Sequence, residues 1–247
     1  MISIVTPLYN SEKYIAETIE SVISQSFKDW ELLVIDDCST DHSKEIVEHF
    51  CSKDNRIKYF RTEIPSGSPT LPRNIGIGLA QGDFIAFLDS DDVWESDKLD
   101  SQIKLFENNS VVIAYSNYEK INEEGIAENR IIYAPKLVDY KALLKGNIIA
   151  CSTCVIDVRK IGKPEFNFQG HEDYALWLSI LRNGYTAMNS EQISVKYRIR
   201  KKSVSSNKFK AAIWVFQIYR KNEEFSFLKS IYYSFITLFR ASVKYLK

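Results

Sequence analysis

Residues 82–92 read GDFIAFLDSDD and carry the strongest structural signal in the chain. The run from Phe84 to Leu88 is apolar without a break, which is typical of a β-strand that is covered on both faces. Three acids follow the run at once, namely Asp89, Asp91 and Asp92. We therefore expect a buried strand whose end presents carboxylates at one edge of a sheet.

The sequence upstream repeats this arrangement. A second strand-like run, Glu31–Ile35, ends in Asp36-Asp37, and apolar residues at helical spacing separate one run from the next. Strands that alternate with helices over the first 115 residues predict a mostly parallel sheet flanked by helices. In such sheets, ligands bind beyond the carboxyl ends of the strands.

The acids after these two runs are expected to share one crevice, where like charges repel one another. A divalent cation, Mg²⁺ or Mn²⁺, relieves that repulsion, since these ions prefer carboxylate, water and phosphate oxygens. The alternative is that the aspartates only close turns and cap helices. Three acids among the four residues 89–92 favour the cation.

The pattern weakens after Asn117. Residues 117–145 predict loops with one helix near Tyr140–Lys145, and Ile148–Ile156 predicts a buried strand. Two cysteines in that strand, Cys151 and Cys154, have CxxC spacing, but no second pair or nearby histidine completes a zinc site.

A clear amphipathic helix follows His171-Glu172-Asp173 and ends at Gly184. The helix dipole stabilises ionised Glu172 and Asp173 at this position. By position alone, however, the two are ordinary first-turn acids.

The end of the chain is basic and aromatic. Residues 196–247 hold 13 Lys and Arg against 2 Asp and Glu, whereas residues 1–195 hold 19 against 30. Aromatic residues with spaced cations in 225–247 are typical of a helix that lies in a membrane interface. A helix packed on the body and a homodimer contact are equally good interpretations.

Composition excludes other classes. With 45% hydrophobic and 26% charged residues, the chain of 247 residues is not a disordered one. No run of about 18 apolar residues predicts a membrane span. The start, MISIVTPLYN, lacks the features of a secretion signal, so we expect a cytoplasmic protein, peripheral on the inner face of the cytoplasmic membrane. No nucleic-acid partner is expected.

Taken together, these features resemble the family 2 glycosyltransferases, which have the GT-A fold. The resemblance is carried by SIVTPLYN (3–10), TIESVISQSFKDWELLVIDDCSTD (18–41), RNIGIGLAQGDFIAFLDSDDVW (73–94) and GHEDYALWLSILRNGY (170–185). It implies a Rossmann-like α/β domain with a C-terminal helical extension. Residues 1–115 then form the half that binds a nucleotide-sugar, 116–205 the half with the acceptor and the catalytic base, and 206–247 the basic aromatic tail.

The resemblance also assigns roles to single residues. Asp37 is expected to bind the nucleotide base, Arg73 to approach the base or the diphosphate, and Asp89 to hold the ribose. Asp91 is expected to ligate Mn²⁺ or Mg²⁺ on the diphosphate. Asp173 is the expected general base, with Glu172 placing it or touching the acceptor. The expected lining of the nucleotide pocket is Pro7, Tyr9, Asn10 and Glu12.

Departures from the family pattern concern the basic loop. Where the family often has Tyr-Arg-x-His, this chain has Tyr197-Arg-Ile-Arg200, followed by Ser203. Arg200 and Ser203 are candidate phosphate contacts. The Gln-x-x-Arg-Trp motif of processive synthases is absent, so we expect a single sugar addition.

The expected activity is an inverting, metal-dependent transfer of one sugar from a UDP-hexose or UDP-N-acetylhexosamine. The expected acceptor is a glycan or a polyprenyl-diphosphate-linked sugar in surface polysaccharide synthesis. One rival is a sugar nucleotidyltransferase, which needs a Gly-rich phosphate loop where this chain has Pro7-Leu-Tyr-Asn. An aspartyl-phosphate phosphatase places its nucleophile on the first strand, unlike Asp89. A third rival is a non-catalytic membrane-surface protein that retains only the fold.

Overall fold

The computed structural model describes residues 1–167, 170–200 and 208–246, without the side chains of 208, 209 and 241–246. Ser203 lies outside the described residues. The strands are β1 Ile2–Leu8, β2 Trp30–Asp36, β3 Ile57–Arg61, β4 Phe84–Phe87, β5 Val93–Trp94, β6 Val111–Ile121, β7 Ala127–Ile132, β8 Leu137–Val138, β9 Val155–Asp157 and β10 Thr186–Arg198. The helices are α1 Ile15–Ile23, α2 Ser43–Cys51, α3 Thr70–Leu79, α4 Lys98–Ile103, α5 Tyr140–Leu143, α6 Val158–Ile161, α7 Glu172–Leu181, α8 Lys208–Gln217 and α9 Phe227–Leu246.

The first half of the sheet is parallel, as the alternation of strands and helices predicts. The strands lie in the order β3-β2-β1-β4, and every pair among them is parallel. All seven residues of β1 and all seven of β2 are buried, because helices and other elements cover both faces. Two apolar clusters, one around Phe87 and Trp177 and one around Ile19 and Trp30, form the core.

The second half is mixed. β9 lies between β4 and β6 and is antiparallel to both, and β10 then runs parallel to β6. The expectation of loops over 117–145 is wrong in part. β6 continues to Ile121, the largely polar β7 pairs with β6, and the two-residue β8 pairs with β10. β7 is too polar and β8 too short to show a strand pattern of its own, so pairing with a long neighbouring strand determines their structure.

β10 contains an irregularity between Asn189 and Ile193, where its pairing register with β6 shifts. Glu191, inside it, has a φ of 64°, which only a minority of non-glycine residues adopt. The Asn189 side chain stabilises this bulge by accepting a hydrogen bond from the Glu191 N–H at 2.8 Å. A second shift lies between Ile193 and Val195, after which the pairing with β6 keeps a new, constant register from Val195 to Arg198, where the strand ends.

The predicted strand Ile148–Ile156 is also corrected. Cys151–Thr153 form a 3₁₀ turn, closed by the Thr153 N–H on the Ala150 carbonyl at 3.0 Å, and only Val155–Asp157 are a strand. Both CxxC thiols are buried and free. The turn places the Ser152 hydroxyl where it donates to Asp92 and accepts from the Asp89 N–H.

The C-terminal extension packs on the body through α8, a π-helical segment Ile218–Asn222 and α9. The face of α9 that meets the body carries small hydroxyl side chains, since Ser230, Ser234 and Thr237 are buried. None of the helices in the described part of the chain is both long and apolar enough to cross a membrane.

Candidate active site

The two acids at the end of β2, Asp36 and Asp37, accept hydrogen bonds from residues of the first half of the chain. Asp36 is fully buried and accepts hydrogen bonds from the Tyr59 hydroxyl at 2.6 Å and the Ser39 N–H at 2.8 Å. Asp37 accepts hydrogen bonds from the Ser66 N–H at 2.8 Å and the Gly67 N–H at 3.1 Å. Asp37 thus closes the loop after β3, and its contact with a nucleotide base stays a prediction.

The loop after β1 lies against the loop after β2. Asn10 accepts a hydrogen bond from the Thr40 N–H at 2.8 Å, and Glu12 accepts one from the His42 N–H at 2.9 Å. Tyr9 is 56% exposed, whereas Pro7 is buried inside β1. An open cleft of about 400 Å³ is lined by Asn10, Glu12, Lys13, Tyr14, Asp41, Glu123 and Arg200. Three of the predicted donor contacts, from opposite ends of the sequence, therefore share one cleft.

Arg73 links two predicted site acids. One guanidinium nitrogen lies 2.6 Å from Asp89 Oδ1 and the other 2.6 Å from Glu172 Oε1. The Arg73 side chain is only 4% exposed, whereas the Asp89 and Glu172 side chains are 30% and 13% exposed. Charge-assisted hydrogen bonds this short in a buried setting are strong. The residues after β4 and those that begin α7 therefore form one ion-paired unit, although 99 positions separate Arg73 from Glu172.

The three acids after β4 have three different environments. The Asp91 side chain is 19% exposed, and its Oδ2 lies 3.3 Å from Arg200 Nη1. Asp92 is buried and accepts hydrogen bonds from the Ser152 hydroxyl at 2.5 Å and the Arg198 N–H at 2.9 Å. Burial, with the nearby Asp89 charge, raises the pKa of Asp91.

The expectation that acids from both strand ends surround one cation is corrected. In residues 1–167, 170–200 and 208–246, no three His, Cys, Asp or Glu side chains form a group that could hold a metal. Asp36, Asp37 and Asp92 are already held by hydrogen-bond donors. A cation at Asp91 fits only if a bound diphosphate and water supply its other oxygen ligands, which is the coordination that Mg²⁺ commonly keeps.

Asp173 lies at the beginning of α7, as the helix pattern predicts. His171, the residue before α7, adopts a left-handed conformation with a φ of 53°. Asp173 Oδ1 accepts a hydrogen bond from the Tyr174 N–H at 2.7 Å, and Oδ2 accepts one from Asn147 Nδ2 at 2.9 Å. Burial and the neighbouring Glu172 charge raise the pKa of Asp173. A partly buried carboxylate with a raised pKa can accept a proton from a hydroxyl group.

Sequence reasoning missed three residues of this site. Asn147 lies in a segment with no recognisable motif, and Ser152 lies inside a CxxC segment whose sequence predicts a strand. Arg198 donates from Nε to the Asp91 carbonyl at 2.8 Å and pairs with Glu17 at 2.6 Å. Its only signal in the sequence is its place in the basic loop pattern.

The sequence profile described as "Glycosyl transferase family 2" matches residues 3–160. An uncharacterised glycosyltransferase of Haemophilus influenzae is 42% identical over 100% of this chain and 98% of its own length. An Escherichia coli protein named UDP-Glc:alpha-D-GlcNAc-diphosphoundecaprenol beta-1,3-glucosyltransferase WfgD is 43% identical over 85% of this chain and 81% of its own length.

Solved structures share the fold. Residues 1–349 of TarS from S. aureus, in complex with UDP-GlcNAc, superpose with a TM-score of 0.72 at 22% identity, covering 93% of this chain and 69% of that one. With a profile match over most of its length and close relatives of the same kind, the chain belongs to glycosyl transferase family 2.

Proposed function

We propose that this protein is an inverting glycosyltransferase that moves one sugar from a UDP-sugar to a lipid-linked acceptor. The observation that carries the proposal is the Arg73 bridge, which joins Asp89 on the proposed donor side to Glu172 on the proposed acceptor side. The bridge lies at the junction between residues 1–115, the proposed donor half, and 116–205, the proposed acceptor half. Two reactants held in one geometry need no further collision to react.

Asp173 is the proposed general base. The acceptor hydroxyl attacks the anomeric carbon from the face opposite the leaving group and transfers its proton to Asp173. The bond between the anomeric carbon and the diphosphate oxygen breaks, and its electron pair leaves with UDP. Attack from the opposite face inverts the anomeric centre. The hydrogen bonds from Asn147 and the Tyr174 N–H fix the direction of the Asp173 carboxylate.

Asp91 is the proposed protein ligand of Mn²⁺ or Mg²⁺. When bound, such an ion stabilises the negative charge that the departing diphosphate gains. Arg200 already offers a positive charge at this position, since it pairs with Asp91. Asp37, Asp89 and the lining of the cleft remain the proposed contacts of the nucleoside.

The proposed substrates follow from the names of relatives. WfgD and a second Escherichia coli protein, WfaP, which is 38% identical over 86% of this chain, are both named as glucosyltransferases that use UDP-Glc and GlcNAc-diphosphoundecaprenol. A Bacillus subtilis relative, 37% identical over 93% of this chain, is named as a putative teichuronic acid biosynthesis glycosyltransferase. We therefore expect a UDP-hexose donor and a polyprenyl-diphosphate-linked acceptor.

A transfer assay tests the proposal. The full chain is mixed with Mn²⁺, UDP-glucose and a GlcNAc-diphospholipid, and the glycolipid product and released UDP are measured. Asp173→Asn is expected to lower transfer by at least about 10²-fold, since a general base contributes about that much. The matched control is Glu165→Gln, an exposed acid ahead of α7. Full transfer by Asp173→Asn contradicts the base assignment.

The same preparation separates the rivals. A sugar nucleotidyltransferase forms UDP-glucose from UTP and glucose 1-phosphate, and we expect no such product. A non-catalytic protein that retains only the fold shows no rise in melting temperature with millimolar UDP and Mn²⁺, whereas a donor-binding enzyme shows one.

We further propose that α9 docks on an anionic lipid surface. The polarity of α9 is the reverse of that of an ordinary surface helix, because its hydroxyl-bearing face is buried and its apolar face is exposed. The exposed apolar side chains form one stripe: Phe227, Leu228, Ile231, Tyr232, Phe235, Leu238 and Phe239. The excess of cations over residues 196–247 complements an anionic leaflet, where each cation contributes about 1 kcal/mol. Such a surface would bring the enzyme to a lipid-linked acceptor, in line with a peripheral location.

Vesicle flotation tests this docking. The full chain is expected to float with phosphatidylglycerol vesicles and less with phosphatidylcholine vesicles. The double variant Leu228→Ser with Phe235→Ser is expected to lose flotation, whereas Ile126→Ser, at an exposed apolar residue elsewhere, keeps it. Equal flotation by the stripe variant overturns the proposal. A wild-type dimer that this variant dissociates assigns the stripe to a second copy instead.

A further inference from the structure

Three buried hydroxyl groups connect the C-terminal extension to the helix of the proposed base. The Tyr219 hydroxyl lies 2.7 Å from the Thr237 hydroxyl of α9 and 2.7 Å from the Tyr174 hydroxyl of α7. Tyr219 is fully buried, Tyr174 is 1% exposed and Thr237 is 9% exposed. Because an unmade hydrogen bond is costly inside a protein, this chain of contacts fixes the position of α7 relative to α9.

The two tyrosines also hold the end of α5 and the residue that follows it. The Tyr174 hydroxyl donates to the Leu143 carbonyl at 2.8 Å. The single proton of the Tyr219 hydroxyl is shared between the Tyr174 oxygen at 2.7 Å and the Leu144 carbonyl at 2.8 Å. Asn147, which donates to Asp173, follows three residues after Leu144. Both described hydrogen bonds to the Asp173 carboxylate therefore come from segments that these tyrosines hold.

Further contacts strengthen the same connection. Asn222 Nδ2 donates to the Ala175 carbonyl of α7 at 3.3 Å. The buried Glu223 carboxylate accepts a hydrogen bond from the Tyr140 hydroxyl of α5 and lies 3.6 Å from Arg182, just after α7. The extension is thus joined to the beginning of α7, to its end and to α5. A tail that served only as a surface anchor would not need these buried polar contacts.

We propose that Tyr219 is a positioning residue for the catalytic base. Its hydroxyl holds the first turn of α7 and the segment before Asn147 in the one arrangement that aims the Asp173 carboxylate. The inference rests on the proposed role of Asp173 as base. It also assigns the C-terminal extension a part in catalysis that is separate from docking, since the two use opposite faces of α9.

The rival interpretation is that Tyr219 contributes only to global stability. A purely stabilising residue lowers the melting temperature without changing the folded enzyme. A positioning residue changes the local protection of α7 and lowers turnover, while the binding of UDP, which is proposed to use the other half of the site, stays unchanged.

The experiment compares Tyr219→Phe with Tyr233→Phe in the full chain. Tyr233→Phe is the same substitution at a neighbouring tyrosine of the extension, whose ring centroid lies 5.7 Å from that of Tyr219. Hydrogen exchange of residues 172–178 is expected to quicken about fivefold or more in Tyr219→Phe, in line with the loss of a buried hydrogen bond. The transfer kcat is expected to fall by a similar factor, while the Kd of UDP with Mn²⁺ changes less than about twofold. Tyr233→Phe is expected to change none of these.

Thr237 supplies a second pair of variants, which is informative even if Tyr219→Phe does not fold. Thr237→Val removes the hydroxyl that contacts Tyr219 and is expected to act in the same direction, whereas Thr237→Ser keeps the hydroxyl and restores normal exchange. Unchanged exchange over 172–178 in both Tyr219→Phe and Thr237→Val overturns the inference. If Asp173→Asn is inactive while Tyr219→Phe behaves like Tyr233→Phe, the inference alone fails. If Asp173→Asn keeps full transfer, the proposed base fails instead.

Discussion

Replacement of Arg73 by lysine tests how the two halves of the site are joined. Each terminal nitrogen of the guanidinium serves one carboxylate at 2.6 Å, and a single ammonium group cannot occupy both positions. Arg73→Lys therefore keeps one contact and loses the other.

The structure gives the scale of this loss. A hydrogen bond to a charged group contributes about 1.5–3 kcal/mol, and the 30% exposure of the Asp89 side chain places that contact near the lower end. If the ammonium stays with the less exposed Glu172, we expect Arg73→Lys to lose about 1–2 kcal/mol of unfolding free energy. Arg73→Met removes both contacts and leaves two carboxylates unpaired, for which about 3–5 kcal/mol is expected.

The assay is urea denaturation followed by tryptophan fluorescence, together with the transfer rate. The matched control is Arg56→Lys, because Arg56 pairs with Asp54 at 2.7 Å near the surface and away from the site. We expect this control to retain full activity although it also loses stability, since Arg56 donates to the Lys28 carbonyl at 3.0 Å and lies 3.7 Å from the Trp30 ring centroid. If Arg73→Lys is as active as Arg56→Lys, the Arg73 bridge does not join the two halves.

Three further outcomes are expected. Burial lowers the pKa of Lys98 to about 7, so between pH 7 and 10.5 the unfolded state binds more protons than the native state. The unfolding free energy measured by urea denaturation should therefore rise by about 2 kcal/mol from pH 7 to 9 relative to that of Lys98→Met. The same change of unfolding free energy with pH in both proteins contradicts this. Gly170→Ala should lower the melting temperature, because a Cβ there would come within 2.3 Å of the Trp214 ring at a φ of +83°, whereas Gly78→Ala, with nothing within 4 Å, should not. Ser152→Ala should raise the Mn²⁺ concentration for half-maximal transfer, since its hydroxyl orients the acidic loop after β4; an unchanged Mn²⁺ requirement at lowered stability refutes this role.

The parallel half of the fold was predictable because its signals are local. A continuous apolar run such as Phe84–Leu88 predicts a buried strand from its own residues, and the acids that follow such runs lie at the carboxyl ends of strands, as predicted. The beginning of α7 was predictable for the same reason. The edge strands β7 and β8 were not, because their stability depends on pairing with β6 and β10.

The roles of the individual acids were beyond the sequence for a related reason. Asp91 and Asp92 are adjacent and chemically identical, yet one faces Arg200 and the other is buried against Ser152, 60 positions away. The partner, and not the residue type, decides whether an aspartate is free to bind a ligand. Such partners come from segments that no local pattern connects.

The bulge in β10 has a consequence for how this scaffold can change over generations. The register between Asn189 and Ile193 is already interrupted, so an inserted or deleted residue there alters a pairing that is irregular to begin with. The pairing with β6 is regular from Val195 to Arg198, and Arg198 is tied to Asp91 and Glu17. Variation in length between Asn189 and Ile193 can therefore accumulate, or be engineered, while the geometry beside Asp91 is preserved.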